Sequence, residues 1–268
     1  MSKKPKWVVE KERGRRAAER ETVWLFGIHA VADALANPAR EKLRLVVTRN
    51  ARDRLGALAE VAGLAVEEAD PRRFSAPLDP GSVHQGAALE VRPLDWGGLE
   101  DAALREGGPI VALDRVTDPH NVGAILRSAE VFGARAVIAP ARHSPPETGA
   151  LAKTASGALE RQPYLRIGNL SDGLIRLKEM GFVCLGMAGE AEEDIADAVM
   201  AYGDRPLAIV LGGEGPGLRQ RTRETCDALV RIGAAGAFGS LNVSNAAAVA
   251  LYAATRRSPS HRRDGSFS

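Results

Sequence analysis

Runs of β-branched and aliphatic residues punctuate the second half of the chain, at 110–113, 136–139, 164–167, 182–185, 207–211 and 229–232. Runs this short and this apolar predict strands buried on both faces, as in a parallel sheet. Helix-periodic stretches alternate with them, at 122–132, 149–158, 170–180, 217–226 and 241–256. Strands alternating with helices in this way predict a doubly wound α/β domain of about 150 residues.

The first third has a different texture. Order is expected to begin near Trp24, and residues 25–29 lead into a helix with Ile28, Val31, Ala32 and Leu35 at helical spacing, closed by Asn37-Pro38. A strand is predicted over 43–48, a helix over 53–62 ended by Gly63, and a short strand over 64–67. Asp70-Pro71 reads as the start of another helical turn, with proline at its first position. Ser82-Val83-His84-Gln85 approaches a strand over 86–91. These elements make a small α/β unit of about 70 residues, an ordinary domain size. Gly97-Gly98 and Gly107-Gly108-Pro109, with acidic residues between, mark a linker. The expected organisation is a basic disordered arm over 1–21, a small domain over 22–93, a linker over 94–108, a larger domain over 109–257 and a basic tail over 258–268.

Charge sharpens that division. The net charge is +2, but residues 1–20 carry eight basic against three acidic residues, and residues 256–268 carry four against one. The body between is acidic. Basic ends on an acidic body suit a polyanion such as RNA, or simply solubilise the chain. No apolar run is long enough to span a membrane, and no apolar stretch follows the N-terminal charges as in a secretory signal. Cys184 and Cys226 lie in apolar contexts without a CxxC or a nearby histidine, so neither a disulfide framework nor a metal site is expected. A cytoplasmic protein fits.

Ligands of open α/β sheets bind outside the carboxyl ends of the strands, and three such ends carry unusual residues. The first is Asp114-Arg115-Val116-Thr117-Asp118-Pro119-His120-Asn121, followed by a helix containing Arg127. Asp118 or Asn121 would cap that helix. Arg127 lies six residues beyond Asn121, about 120° around the helix, and an arginine among Ile125, Leu126 and Ala129 needs a carboxylate, a phosphate or solvent. The second is Leu211-Gly212-Gly213-Glu214-Gly215-Pro216-Gly217-Leu218, whose glycines let backbone approach a ligand closely. It is neither a P-loop nor a dinucleotide fingerprint, which disfavours a nucleotide-dependent oxidoreductase. The third runs from Arg231-Ile232 to Gly239-Ser240-Leu241-Asn242-Val243-Ser244 and opens an alanine-rich helix. Ser240, Asn242 and Ser244 are all capping residue types, and one cap serves one helix, so some of these groups face something else.

Taken together and in this order, the three stretches resemble the SpoU (TrmH-like) branch of the SPOUT RNA methyltransferases over about residues 109–256. The first is similar to its motif 1, with Asn121 and Arg127; the second to motif 2, with Glu214; the third to motif 3. Asn245 departs from the pattern, which usually has a small or apolar residue there. The resemblance implies a deep trefoil knot, a homodimer and bound S-adenosylmethionine. Phe26-Gly27-Ile28-His29-Ala30-Val31 and Val83-His84-Gln85-Gly86 resemble the L30e-like substrate-binding domain that some members carry, among them those that methylate a guanosine of large-subunit (23S) rRNA. His84 would contact RNA or be a hydrogen-bonded residue at a strand entry.

The activity implied is transfer of a methyl group to a ribose 2′-OH, on 23S rRNA in preference to tRNA, with a non-catalytic RNA-binding or ribosome-assembly factor as the rival. By this resemblance Arg127, Asn121, Glu214, Ser240 and Asn242 are the catalytic residues. Gly212, Ile232 and Leu241 contact the cofactor through backbone groups. No metal is implied.

Overall fold

The structure, a computed structural model, describes residues 22–61, 63–79, 81–233 and 241–256. The basic arm and the tail expected at the ends lie outside them. The chain forms two compact units: residues up to Asp95 together with Glu147–Glu160, and Trp96–Pro146 together with residues from Arg161 onward.

The first unit is built on a four-stranded mixed sheet of β1 (Val23–Phe26), β2 (Lys42–Val47), β3 (Ala65–Glu68) and β4 (Ala87–Val91), in the order β1-β4-β2-β3. Strand β4 pairs antiparallel with both β1 and β2, and β2 pairs parallel with β3. Leu25, Leu45 and Leu89 are fully buried, each contributing roughly 1.5–3 kcal/mol. Helices α1 (Ile28–Ala36) and α2 (Arg49–Leu55) complete the chain's first pass. The helix predicted over 53–62 begins four residues earlier, because the Thr48 hydroxyl accepts from the Ala51 N–H and caps it. It ends early because Gly56 takes a positive φ, leaving a 3-10 turn over Gly56–Ala59. No helix starts at Pro71: Asp70 accepts from the Arg72 N–H, and its side chain holds a turn instead. The sequence pattern over 25–29 reads as the approach to a helix, but Val23–Phe26 is a strand. Only its pairing with β4 reveals it.

Residues 147–160 supply α3 (Gly149–Ala155), capped by Thr148 and closed by Ser156 in the left-handed conformation. Its first residue has no room for a side chain. A Cβ on Gly149 would stand 2.2 Å from the Phe26 ring and 2.6 Å from the Trp24 carbonyl oxygen. A buried Glu–Arg–Glu triad holds the segment. Arg40 donates to Glu160 through Nε at 3.0 Å and Nη2 at 2.7 Å, and through Nη1 to Glu147 at 2.7 Å and the Arg92 carbonyl at 2.8 Å. The other Glu147 oxygen accepts from the Leu94 N–H, and Asn37 donates to Glu160.

The second unit carries seven strands: β5 (Ile110–Asp114), β6 (Ala136–Pro140), β7 (Tyr164–Ile167), β8 (Val183–Met187), β9 (Glu193–Asp194), β10 (Leu207–Gly212) and β11 (Ala228–Arg231). Their order is β7-β6-β5-β10-β8-β11-β9, and every pairing is parallel. The six apolar runs are all strands. Short β9 and the helix after it (Ile195–Ala201) add to the predicted elements; Ile195, Ala198 and Val199 fall at helical spacing and are buried. Residues 94–108, expected to be a linker, contain a helix over Leu99–Leu104 whose Leu99, Ala102 and Ala103 join the core. Burial pushes the thiols of Cys184 and Cys226 up to about 12, so both stay protonated.

The strand order sets the site. The chain runs outward from β5 through β6 to β7, then resumes at β8 on the other side of β5, and β10 enters between β5 and β8. The carboxyl ends of β5 and β10 therefore meet at the point where the strand order reverses, the expected place for a ligand in an open α/β sheet.

Candidate active site

Three loops converge there. Strand β5 leads to α4 (Pro119–Val131), in which proline occupies the first turn and Asp118 is the cap, accepting from the His120 N–H at 2.9 Å. Asn121 is thereby released from capping. Strand β10 leads into the glycine loop, which folds back so that Gly213 and Gly217 bridge. A Cβ on Gly212 would stand 2.2 Å from the Gly217 carbonyl carbon. Buried Asp114 fixes the loop's exit, accepting from Arg219 Nε at 2.7 Å and from its backbone N–H at 2.9 Å. Helix α5 (Val243–Thr255) begins at Asn242, whose Oδ1 accepts from the Ser244 N–H and hydroxyl.

Asn121, Glu214 and Asn242 meet in a closed triangle. Glu214 Oε1 accepts from Asn121 Nδ2 and Asn242 Nδ2, each at 2.9 Å, and Asn242 Nδ2 also donates to Asn121 Oδ1 at 3.1 Å. One residue from each of the three stretches takes part, although 93 and 28 positions separate Glu214 from its partners. Arg127 is exposed and stands two turns further along α4, about 9 Å of helix rise from Asn121. It makes no hydrogen bond or ion pair among the described residues. Ser240 lies outside the described residues. Asn245 is exposed, so a polar residue there disturbs no packing.

Beside the triangle opens a cleft of about 780 Å³, within the range of small-molecule sites. Gly212, Ile232 and Leu241 all line it, as do Met187, Ala188 and Gly189 at the carboxyl end of β8. The end of β8 carries no unusual residue that would mark it in the sequence. Glu190 and Arg223 also face the cleft and pair at 2.5 Å. A hydrogen bond from its own backbone N–H and the Arg223 guanidinium hold the Glu190 carboxyl below its usual range. Backbone groups of the glycine loop line the cleft together with apolar Leu218, Ile232 and Leu241, a lining suited to a flat heteroaromatic ring read by main-chain hydrogen bonds. The carboxylates of Glu190 and Glu214 suit a cationic group. S-adenosylmethionine has both features, and the residues fit it. His84, in the first unit, stacks on Phe74 at 4.0 Å, and its Nδ1 accepts from the Gly86 N–H.

Residues 108–252 match the SpoU rRNA Methylase family, and residues 24–96 match the family described as RNA 2'-O ribose methyltransferase substrate binding. The chain belongs to the SpoU rRNA methylase family. Among relatives of this SpoU chain, the 23S rRNA (guanosine-2'-O-)-methyltransferase RlmB of Vibrio vulnificus is 38% identical over 87% of this chain and 96% of its own. The protein of the same name from Ralstonia nicotianae is 41% identical over 87% and 95%. In fold, the chain is similar to the SpoU methyltransferase AviRb from Streptomyces viridochromogenes, crystallised with AdoMet. That match has a TM-score of 0.75 at 24% identity and covers 91% of each chain. The α/β architecture and the family expected from the three loops are thus borne out. Among the described residues no cluster of histidine, cysteine and carboxylate side chains suits a metal, and no helix is long and apolar enough to cross a membrane.

Proposed function

We propose that this chain methylates the ribose 2′-OH of a guanosine in 23S rRNA, with S-adenosylmethionine as methyl donor. The observation that carries this is the extent of the likeness to the RlmB proteins, 38–41% identity across both units rather than across the methylase part alone. The cytoplasm, where rRNA is found, is the expected compartment.

When bound, the cofactor supplies an electrophilic methyl group. The 2′-oxygen would take the methyl group, the thioether would leave, and the hydroxyl proton would pass to water. The chain's part is alignment, which can supply up to ~7–11 kcal/mol when it is ideal. Glu214 collects both amides at one oxygen and so fixes the rotamers of Asn121 and Asn242. The Asn121 carbonyl and the free Glu214 oxygen then face a substrate as oriented acceptors for ribose hydroxyls. Gly212, Ile232 and Leu241 would seat the cofactor, and Ser240, by its place in motif 3, would help to hold the substrate. Arg127 offers a planar guanidinium fork. Its role is to grip the target phosphate or to steady the developing oxyanion. The target nucleotide must leave its stack for the 2′-OH to be reached, so a loop is favoured over a duplex.

Arg127 makes no bond to the triangle of its own subunit among the described residues. A second copy resolves this. Val131 on α4 and Val249 and Tyr252 on α5 are exposed large hydrophobics. Covering them in a homodimer would carry each Arg127 toward the other subunit's site. We take the deep trefoil knot from the family resemblance alone.

The test is incubation with labelled S-adenosylmethionine and unmethylated total RNA, followed by mapping of alkali-resistant sites, with Arg127→Ala alongside. A single 23S guanosine labelled by the wild type and not by the variant is expected. Label in tRNA alone would move the substrate. Absence of label together with absence of cofactor binding would favour an RNA-binding assembly factor.

A further inference from the structure

Sixteen described residues have positive φ, and thirteen of them are glycine. The other three are Gln85, Arg115 and Ser156. Left-handed backbone is unfavourable for a residue with a Cβ, by roughly 1–2 kcal/mol. Two of the three exceptions have an evident reason. Gln85 Oε1 accepts from the Ile28 N–H at the start of α1. Ser156 is the left-handed cap that closes α3, its N–H bonded to the Ala152 and Lys153 carbonyls. Arg115, at φ 60°, has no such employment. Its side chain is exposed and makes no hydrogen bond or ion pair among the described residues.

The surroundings impose the conformation. Arg115 follows the last residue of β5, where the Gly213 N–H bonds to the Asp114 carbonyl at 2.9 Å. The Arg115 carbonyl presses on Gly213 so closely that a Cβ there would stand 2.5 Å from the oxygen. The chain must turn at this point to reach Asp118 and α4, and glycine would turn there without strain. An arginine is instead held with its backbone against Gly213, next to Glu214 in the glycine loop, and with its side chain exposed. Strain that the fold does not use is a pointer to function.

We propose that Arg115 is a substrate-positioning residue that grips an RNA backbone phosphate next to the target ribose. A guanidinium fork matches two phosphate oxygens and keeps its charge throughout. Held on a backbone that cannot relax, it fixes the register of the nucleotide relative to Asn121 and Glu214. The proposal rests on the RNA methyltransferase reading.

Arg115→Gly tests it, because glycine accepts this backbone and the variant folds. Binding of an unmethylated 23S rRNA transcript is measured across a range of salt concentrations for wild type, Arg115→Gly and Arg115→Lys. Melting temperature and S-adenosylmethionine affinity are measured in parallel. In Arg115→Gly the slope of log affinity against log salt becomes shallower by about 0.7–0.9, the loss of one phosphate contact. Its melting temperature is equal to or above wild type and its cofactor affinity unchanged, while Arg115→Lys retains the wild-type slope. An unchanged slope in Arg115→Gly, or a lowered melting temperature, overturns the proposal while leaving wild-type methylation in place. A wild type that neither binds nor methylates any RNA overturns the parent reading, and this proposal with it.

Discussion

A single oxygen of Glu214 organises the polar centre by taking both asparagine amides. Glu214→Ala leaves Asn121 and Asn242 free to turn, and kcat is expected to fall about 10²-fold, the scale of a small misplacement of reacting groups. Cofactor affinity, read by calorimetry, should fall by much less than kcat, since Glu214 is one of many groups lining the cleft and the rest stay in place. A loss of cofactor binding equal to the loss of kcat would show that Glu214 serves the cofactor instead. Much of this centre was legible in the sequence. A glycine-rich loop with one carboxylate and an excess of capping residues before an alanine helix both signalled polar groups with work outside their own helices. Which of Asp118 and Asn121 would cap α4 was not legible, because either residue type can. The structure gives the cap to Asp118 and frees Asn121. Arg127's distance from the triangle was foreshadowed by its 120° offset on the helix. The strain at Arg115 left no trace in the sequence, since a backbone dihedral imposed by a neighbouring strand has no local signature.

Among the elements, the end of β10 sets the shape of the cleft. Gly212→Ala would drive a Cβ into the backbone of Gly217 and Leu218, 2.2 and 2.4 Å away. The loop must then shift. A stability loss of about 1–3 kcal/mol is expected in urea denaturation, together with weakened S-adenosylmethionine binding. Unchanged binding would mean that the cofactor does not use this loop. The parallel strands were readable because burial on both faces writes itself as continuous apolar runs. Strand β1 and the start of α2 were not, because the first depends on a partner more than sixty positions away and the second on one hydroxyl, that of Thr48.

On the scale of the whole molecule, buried charge and exposed apolar surface make separate predictions. Burial raises the Glu147 carboxyl above its usual range, outweighing the pull of Arg40. Burial lowers Arg40, but the Glu160 hydrogen bonds and the two carboxylates outweigh it and leave the guanidinium raised. A carboxyl with a raised native pKa contributes stability that is fully present below its unfolded pKa and lost as pH rises through the native value. Wild type should therefore lose ground to Glu147→Gln as pH climbs from the ordinary carboxylate range toward neutrality, measured as the gap between their denaturation free energies. Parallel curves would contradict this. Glu160→Gln, which breaks the two-bond contact with Arg40, should be the costlier change, by about 3–5 kcal/mol. At the exposed face, Tyr252→Asp is expected to convert a dimer into a monomer in analytical ultracentrifugation and to abolish methylation with it. A variant that remains dimeric would place the interface elsewhere.

The first unit borrows residues 147–160 from a later part of the chain, and this bears on how the protein is made. A ribosome that has delivered Asp95 must add about 65 more residues before Glu160 exists. At the usual ~5–20 residues per second, the delay is several seconds. During that interval the strands emerging first have no α3 to lie against Phe26, and Arg40 has neither carboxylate. The part of the molecule translated earliest is thus completed only after β5 and β6 have left the exit tunnel, and until then a chaperone would find its unpaired guanidinium and bare aromatic face in water.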